Sequence, residues 1–117
     1  MLAIKEAGTC KYDLAALGSV NERAIPEHRE PSEWTNRFVF EATGAEYNVV
    51  CGPANWGNST AMFTALVPNS PPGMRIARAI LSRGIVPIVK ECIHDGITGP
   101  RHAIMWSDLG VGVRGPK

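Results

Sequence analysis

The sequence has no run of apolar residues long enough to cross a bilayer. Its start, Met-Leu-Ala-Ile-Lys-Glu, lacks the basic-then-apolar layout of a secretion signal. Together these absences point to a soluble, cytoplasmic protein with no membrane partner. Cysteine is scarce: Cys10, Cys51 and Cys92 are an odd set without close pairing, which excludes a disulfide framework and agrees with a reducing compartment. Their even spacing does not mark a repeat, because the segments that follow them share no other residues. Charge is missing altogether from Tyr47 to Met74, whereas acidic side chains prevail from Glu22 to Glu46 and basic ones from Arg75 onward. Such a layout permits an anionic partner, a nucleotide, a phosphate or an acidic protein surface, but a net charge of +1 is far from the footprint of a nucleic-acid binder.

Catalytic and metal signatures are equally thin. Cys92, His94, Asp95 and His102 are metal-ligand types, and alternate strand positions share a side, yet no closed four-ligand set with zinc spacing occurs, so no metal is expected. No Ser-His-Asp or Cys-His-Asn arrangement is signalled either. Asn58-Ser59-Thr60 matches a glycosylation acceptor, read as chance without a secretion signal.

What is present is one domain's worth of chain, 117 residues, with a single segment punctuated at both ends. Ser70 is a good N-cap, Pro71 suits the first helical turn, and Gly84 suits the left-handed position past the end, so Pro71 to Arg83 is predicted as a helix. Ile76, Ala77, Ile80 and Leu81 share one face, and Arg75, Arg78 and Ser82 lie opposite. That arginine face reads as an anion site or, more commonly, as a solvated surface.

Around this helix, Met1 to Ala7 is predicted as a short strand and Lys11 to Leu17 as a helix ended by Gly18. Ser19 to Asn36, with Pro26 and Pro31, reads as loop or broken helix. Arg37 to Ala42 and Glu46 to Cys51 are β-prone runs about Gly44, predicted as an antiparallel hairpin. Thr60 to Val67 is predicted as a strand, with Ile85 to Glu91 beside it and Pro87 placing the latter at a sheet edge or a bulge. His102 to Trp106 is apolar, and Leu109 to Val113 reads as a Gly-punctuated strand. The loop aromatics Trp34 and Trp56 suit contact anchors or core-edge caps. The expected fold is α/β or α+β: a mixed, mostly antiparallel sheet of five or six strands with the Pro71–Arg83 helix packed on one face.

Three segments, in order, resemble the GNAT superfamily of acyl-CoA-dependent N-acyltransferases. Ile4-Lys-Glu-Ala7 with Asp13 to Leu17 is similar to its opening strand and helix. Val67 to Leu81 resembles its fourth strand, phosphate loop and following helix. Ala103 to Val111 lies where the family has a last helix, which implies helix over 102–108. In the family's phosphate signature the first position falls on Pro72, the glycine on Arg75 and the final small residue on Ala77, and only the last fits; Pro71 and Pro72 also remove amide donors. The resemblance implies acetyl-CoA lying over Ser70 to Ala77, with Leu66, Val67, Ser70, Gly73, Arg75, Ile76, Ala77 and Arg78 as the cofactor-binding set. Backbone amides near Leu66 and Val67 would then polarise the thioester. No catalytic residue is identified: Trp106 stands where the family has a Tyr general acid, Cys92 or His94 are conceivable substitutes, and Glu41 or Glu91 could serve as base. Two functions follow: a small N-acyltransferase, or a non-catalytic GNAT-fold interaction or structural protein, such as a phage accessory or virion component. The second would have lost acyl-CoA binding and would act through a protein partner or as a homo-oligomer.

Overall fold

The computed structural model describes residues 3–6 and 8–110. Its chain forms β1 (Leu14–Leu17), β2 (Asn21–Pro26), a 3-10 turn (Glu27–Arg29), β3 (Phe38–Thr43), α1 (Ala45–Asn55), β4 (Thr60–Leu66), α2 (Pro71–Ser82), β5 (Val86–Glu91) and β6 (Ile104–Trp106). Among the described residues the strands make two three-stranded sheets, where a single sheet of five or six was expected. Sheet A has the order β1-β4-β5 and is parallel throughout; sheet B has the order β3-β2-β6, with β3 antiparallel and β6 parallel to β2. A parallel pair cannot be closed by a tight turn and needs a long crossover. Helices α1 and α2 supply those crossovers, α1 before β4 and α2 between β4 and β5.

Both helices pack on one face of sheet A. Tyr47, Val50 and Cys51 of α1 and Ile76 and Ile80 of α2 meet Met62 and Leu66 of β4, with Val20 and Ile85 closing the ends of the core. Met62 is fully buried at its centre. The other face of sheet A carries Leu17, Phe63 and Val86, which are solvent-exposed; Leu17 is 79% accessible.

α2 is built as its punctuation predicts. The Ser70 hydroxyl accepts the Gly73 N–H at 3.1 Å and donates to the Val67 carbonyl at 2.8 Å, and Gly84 takes a φ of 73° just past the last turn. Both strands flanking it also match their sequence reading, with β5 on the sheet edge where Pro87 costs no interior ladder bond.

Elsewhere local propensity misleads. The expected hairpin is half strand, half helix: β3 stands, but 45–55 is α1. Tyr47, Val50, Cys51 and Ala54 recur at helical spacing toward the core, and burying that stripe outweighs the strand preference of Val49 and Val50. Leu14–Leu17, predicted helical, is a strand whose Leu14 and Ala16 face the core while Ala15 and Leu17 face out. Asn21–Pro26, predicted as loop or broken helix, is the central strand of sheet B, alternating half-buried and buried. Ile104–Trp106 is strand, which settles the helix implied over 102–108 against it. Of the first expected strand, 3–6 has no regular structure and Met1, Leu2 and Ala7 lie outside the described residues. Of the last, Leu109 and Gly110 are not in a strand, and 111–113 lies outside the described residues.

Truncating Met62 to Ala should lower the unfolding free energy by about 2–5 kcal/mol in a urea titration, because the surrounding helices cannot collapse into the void. Leu17→Ala on the open face should change it by under about 0.5 kcal/mol.

Candidate functional site

In an open parallel sheet, ligands bind outside the carboxyl ends of the strands. Here those ends are also where the chain leaves for sheet B. β1 runs through Gly18, Ser19 and Val20 straight into β2; β3 returns through Gly44 into α1; and β5 leads through 92–103 into β6. The first two crossings touch: a Cβ on Gly44 would lie 2.5 Å from the Ser19 carbonyl oxygen. A Cβ on Gly18 would meet only the movable end of the Glu46 side chain, so it is Gly44, against backbone, that allows the close approach.

At this junction β2 presents different chemistry on its two sides. Glu22, Ala24 and Pro26 are buried toward α2, and Asn21, Arg23 and Ile25 are half-buried on the other side. Asn21 pairs with Thr43 and Arg23 with Glu41 across the ladder. The outer side of the foot of sheet B is therefore a polar strip of Asn21, Arg23, Glu41 and Thr43. Ser19 Oγ donates to Asn21 Oδ1 at 3.2 Å, leaving the Asn21 amide N–H groups as donors. Arg23 Nη2 donates to Glu41 Oε2 at 2.7 Å, while Arg23 Nε is buried and without a hydrogen-bond partner. Ser19 also lines a groove of about 580 Å³ over Leu17, Phe63, Ala65, Ile88 and Lys90. This strip escaped the sequence reading because 19–36 carries turn residues and no clear period.

A second cavity, about 680 Å³, lies past the carboxyl ends of β4 and β5 between Val67, Ser70, His94, Arg101 and His102. Its polar groups are engaged with one another. Val67 N–H donates to His102 Nε2 at 3.0 Å, Arg101 Nε donates to His94 Nε2 at 3.0 Å, and the Asp95 carboxylate accepts the Ile97 and Thr98 amides. The Thr98 and Ile97 bonds hold the Asp95 carboxyl below the usual aspartate range.

The expected cofactor-binding residues do not converge on a phosphate. Leu66 and Ile76 are core side chains, Ala77 packs at the core edge, and Val67 is buried with its amide committed to His102. Gly73 is pressed against the Val67 carbonyl, its N–H is bonded to Ser70 Oγ, and the Met74 N–H to the Ser70 carbonyl. With those amides spent, the α2 N-terminus offers no open cradle. Arg75 turns away to sheet B and forks onto Glu22, through Nε to Oε1 and through Nη2 to Oε2 at 2.9 Å; the bond raises its pKa. Arg78 is exposed. Of the suggested proton-transfer groups, Glu41 is paired with Arg23, Glu91 is exposed at the end of β5, and Trp106 stands edge-on to Phe38 at 5.0 Å. Trp34 and Trp56 are both exposed. Among the described residues no group of three metal-ligating side chains converges. No helix there is long and apolar enough to cross a membrane.

No family model and no curated protein sequence matches this chain. Solved structures do. A protein described as a 2-keto-3-deoxygluconate kinase from Enterococcus faecalis superposes on 89% of this chain with a TM-score of 0.76 at 25% identity. The 2-dehydro-3-deoxygluconokinase of Thermotoga maritima superposes on 89% with 0.71 at 25% identity. A PfkB family carbohydrate kinase from Listeria grayi does so on 89% with 0.75 at 20% identity. The architecture is that of part of the PfkB-type sugar kinase fold. The match spans 29%, 30% and 31% of those three chains respectively, so this chain covers under a third of their length. The finding overturns the GNAT resemblance together with acyltransferase activity, acetyl-CoA and the non-catalytic GNAT alternative. The physical reason lies in the sheets: of the matched segments, Leu14–Leu17 is a strand pairing in parallel with β4, 67–81 is loop and crossover helix, and Ile104–Trp106 is a strand of a second sheet that the resemblance did not contain.

Gly44→Ala should cost roughly 1–3 kcal/mol in a denaturant titration, because the added methyl meets backbone at the crossing. For Asp95, a depressed folded-state pKa means that the folded loop binds fewer protons than the unfolded one. Its contribution is then present above the unfolded pKa and lost as pH falls through the folded value. The Ile97 and Thr98 amide resonances should accordingly titrate with a midpoint below that of a free aspartate, and a midpoint at the ordinary value would count against the bonds described.

Proposed function

We propose that this chain forms the acceptor-binding side of a carbohydrate kinase, and that a sugar or sugar acid lies on the polar strip at the foot of sheet B. The observation that carries the reading is the superposition of 89% of the chain on two 2-keto-3-deoxygluconate kinases at 25% identity. The strip adds suitable chemistry. Asn21 offers amide donors, Glu41 and Thr43 offer acceptors for hydroxyls, and Arg23 is the planar cation that suits a carboxylate. Arg23 is held by Glu41 at the surface, where a charge pair is weak and exchangeable, so an incoming carboxylate can take its place. The α2 N-terminus, where the first amides are already bonded, is not assigned the nucleotide. ATP is bound in one of the similar structures, an uncharacterized sugar kinase from Pyrococcus horikoshii, matched at 16% identity with a TM-score of 0.69.

Isothermal titration calorimetry with 2-keto-3-deoxygluconate, fructose and ATP tests the reading. Saturable binding of the sugar acid, weakened about tenfold to a hundredfold by Arg23→Ala with the thermal midpoint unchanged, is the expected result, since one charge-assisted contact is lost. No heat of binding for either sugar at millimolar concentration sinks it.

A further inference from the structure

Glu22 is 1% exposed, in the middle of sheet B, and its partner Arg75 lies on a helix of the other layer. The guanidinium is gripped from two sides. Glu22 takes it with both carboxylate oxygens, and the Arg75 Cζ stands 5.1 Å from the centre of the Phe40 ring on β3, the rest of the arginine side chain being half-exposed. Fork-on-fork geometry restricts direction as well as distance, and the aromatic face restricts it further. Beside the pair a pocket of about 270 Å³ opens to solvent between α2 and sheet B, where Glu22, Phe40, Ala42, Arg75, Ile76 and Arg78 meet. Beside the apolar contacts of Ala24 and Ala42, the ion pair is the polar tie between α2 and sheet B at this place.

We propose that Glu22 and Arg75 are positioning residues for the strip on the opposite face of β2. The pleat places consecutive side chains on opposite sides of a strand. Asn21 and Arg23 flank Glu22 directly, so whatever holds Glu22 holds them. Any swing of sheet B about the Gly18–Val20 and Gly44 crossings would part Glu22 from Arg75 and leave a carboxylate unpaired in the interior, which is among the most costly changes a fold can undergo. The pair thereby selects one orientation of sheet B, and with it one placement of the Asn21 and Arg23 groups. What the strip binds rests on the carbohydrate reading; the setting of the sheet does not.

The test separates these two parts. Spin labels at Val39→Cys on β3 and Asn55→Cys at the end of α1, in a background with Cys10→Ser and Cys92→Ser, report the distance between the layers by double electron–electron resonance. The parent should give one narrow distance distribution. Arg75→Ala, which leaves the buried Glu22 carboxylate without its cation, should lower the thermal midpoint and broaden the distribution. The double variant Glu22→Leu with Arg75→Leu removes the buried charge altogether, so its midpoint should return close to the parent's. Its distance distribution should nevertheless stay broad, and its affinity for 2-keto-3-deoxygluconate should fall about tenfold to a hundredfold although neither residue touches the strip's outer face. A narrow, unshifted distribution in the double variant overturns the proposal, as does a broad one with unchanged sugar affinity. A broad distribution in the double variant, with a parent that binds no sugar, upholds the setting of the sheet and removes the carbohydrate reading.

Discussion

A carboxylate in the interior constrains everything around it. Glu22 is enclosed by sheet B and α2, and a cation in bonding geometry offsets the cost of that enclosure. Arg75 meets the requirement from the first half of α2, which in turn must lie where Ser70 caps it and where Ile76 and Ile80 reach Met62. One ion pair thus ties the parallel layer to the sheet that rises from it. At the crossing, Gly44 lets the β3–α1 backbone lie against the Ser19 carbonyl, which keeps the two layers close beside that tie.

The apolar contribution to the fold is lopsided. Both helices cover the same face of sheet A, so Met62, Leu66 and Ile80 carry the core, while Leu17, Phe63 and Val86 on the reverse face remain in contact with water. Parallel sheets are ordinarily covered on both faces. Among the described residues only one face of sheet A is covered by helices.

Several elements were legible in the sequence because their chemistry is local. α2 announces itself by Ser70, Pro71 and Gly84, and β4 and β5 by runs of strand-forming residues stopped by Pro68 and by the turn signals after Glu91. α1 was missed because Val49, Val50 and Tyr47 favour strands in isolation; only their joint burial makes the helix the better solution. β2 was missed because Pro26 and mixed charge imitate a loop, although its alternation of Glu22, Ala24 and Pro26 with Asn21, Arg23 and Ile25 is the signature of a strand between two environments. The candidate strip went with it. Arg75 was read as part of an arginine face and of a phosphate-binding set, whereas its partner is a carboxylate 53 residues earlier in the chain.

By itself the sequence determined where α2 begins and ends, that Pro87 would hold β5 to an edge or a bulge, and that no helix of the described residues is long and apolar enough to cross a membrane. Those outcomes depend on caps, on the missing N–H of a proline and on the length of apolar runs, all of which act within a few residues. Tertiary structure decided that the strands divide into two sheets, that sheet A is parallel, and that Arg75 serves Glu22. Strand direction and ion-pair partnership are properties of segments far apart in the chain. They are chosen by which arrangement buries the Met62 face and leaves no carboxylate alone, and no local pattern of residues records that choice.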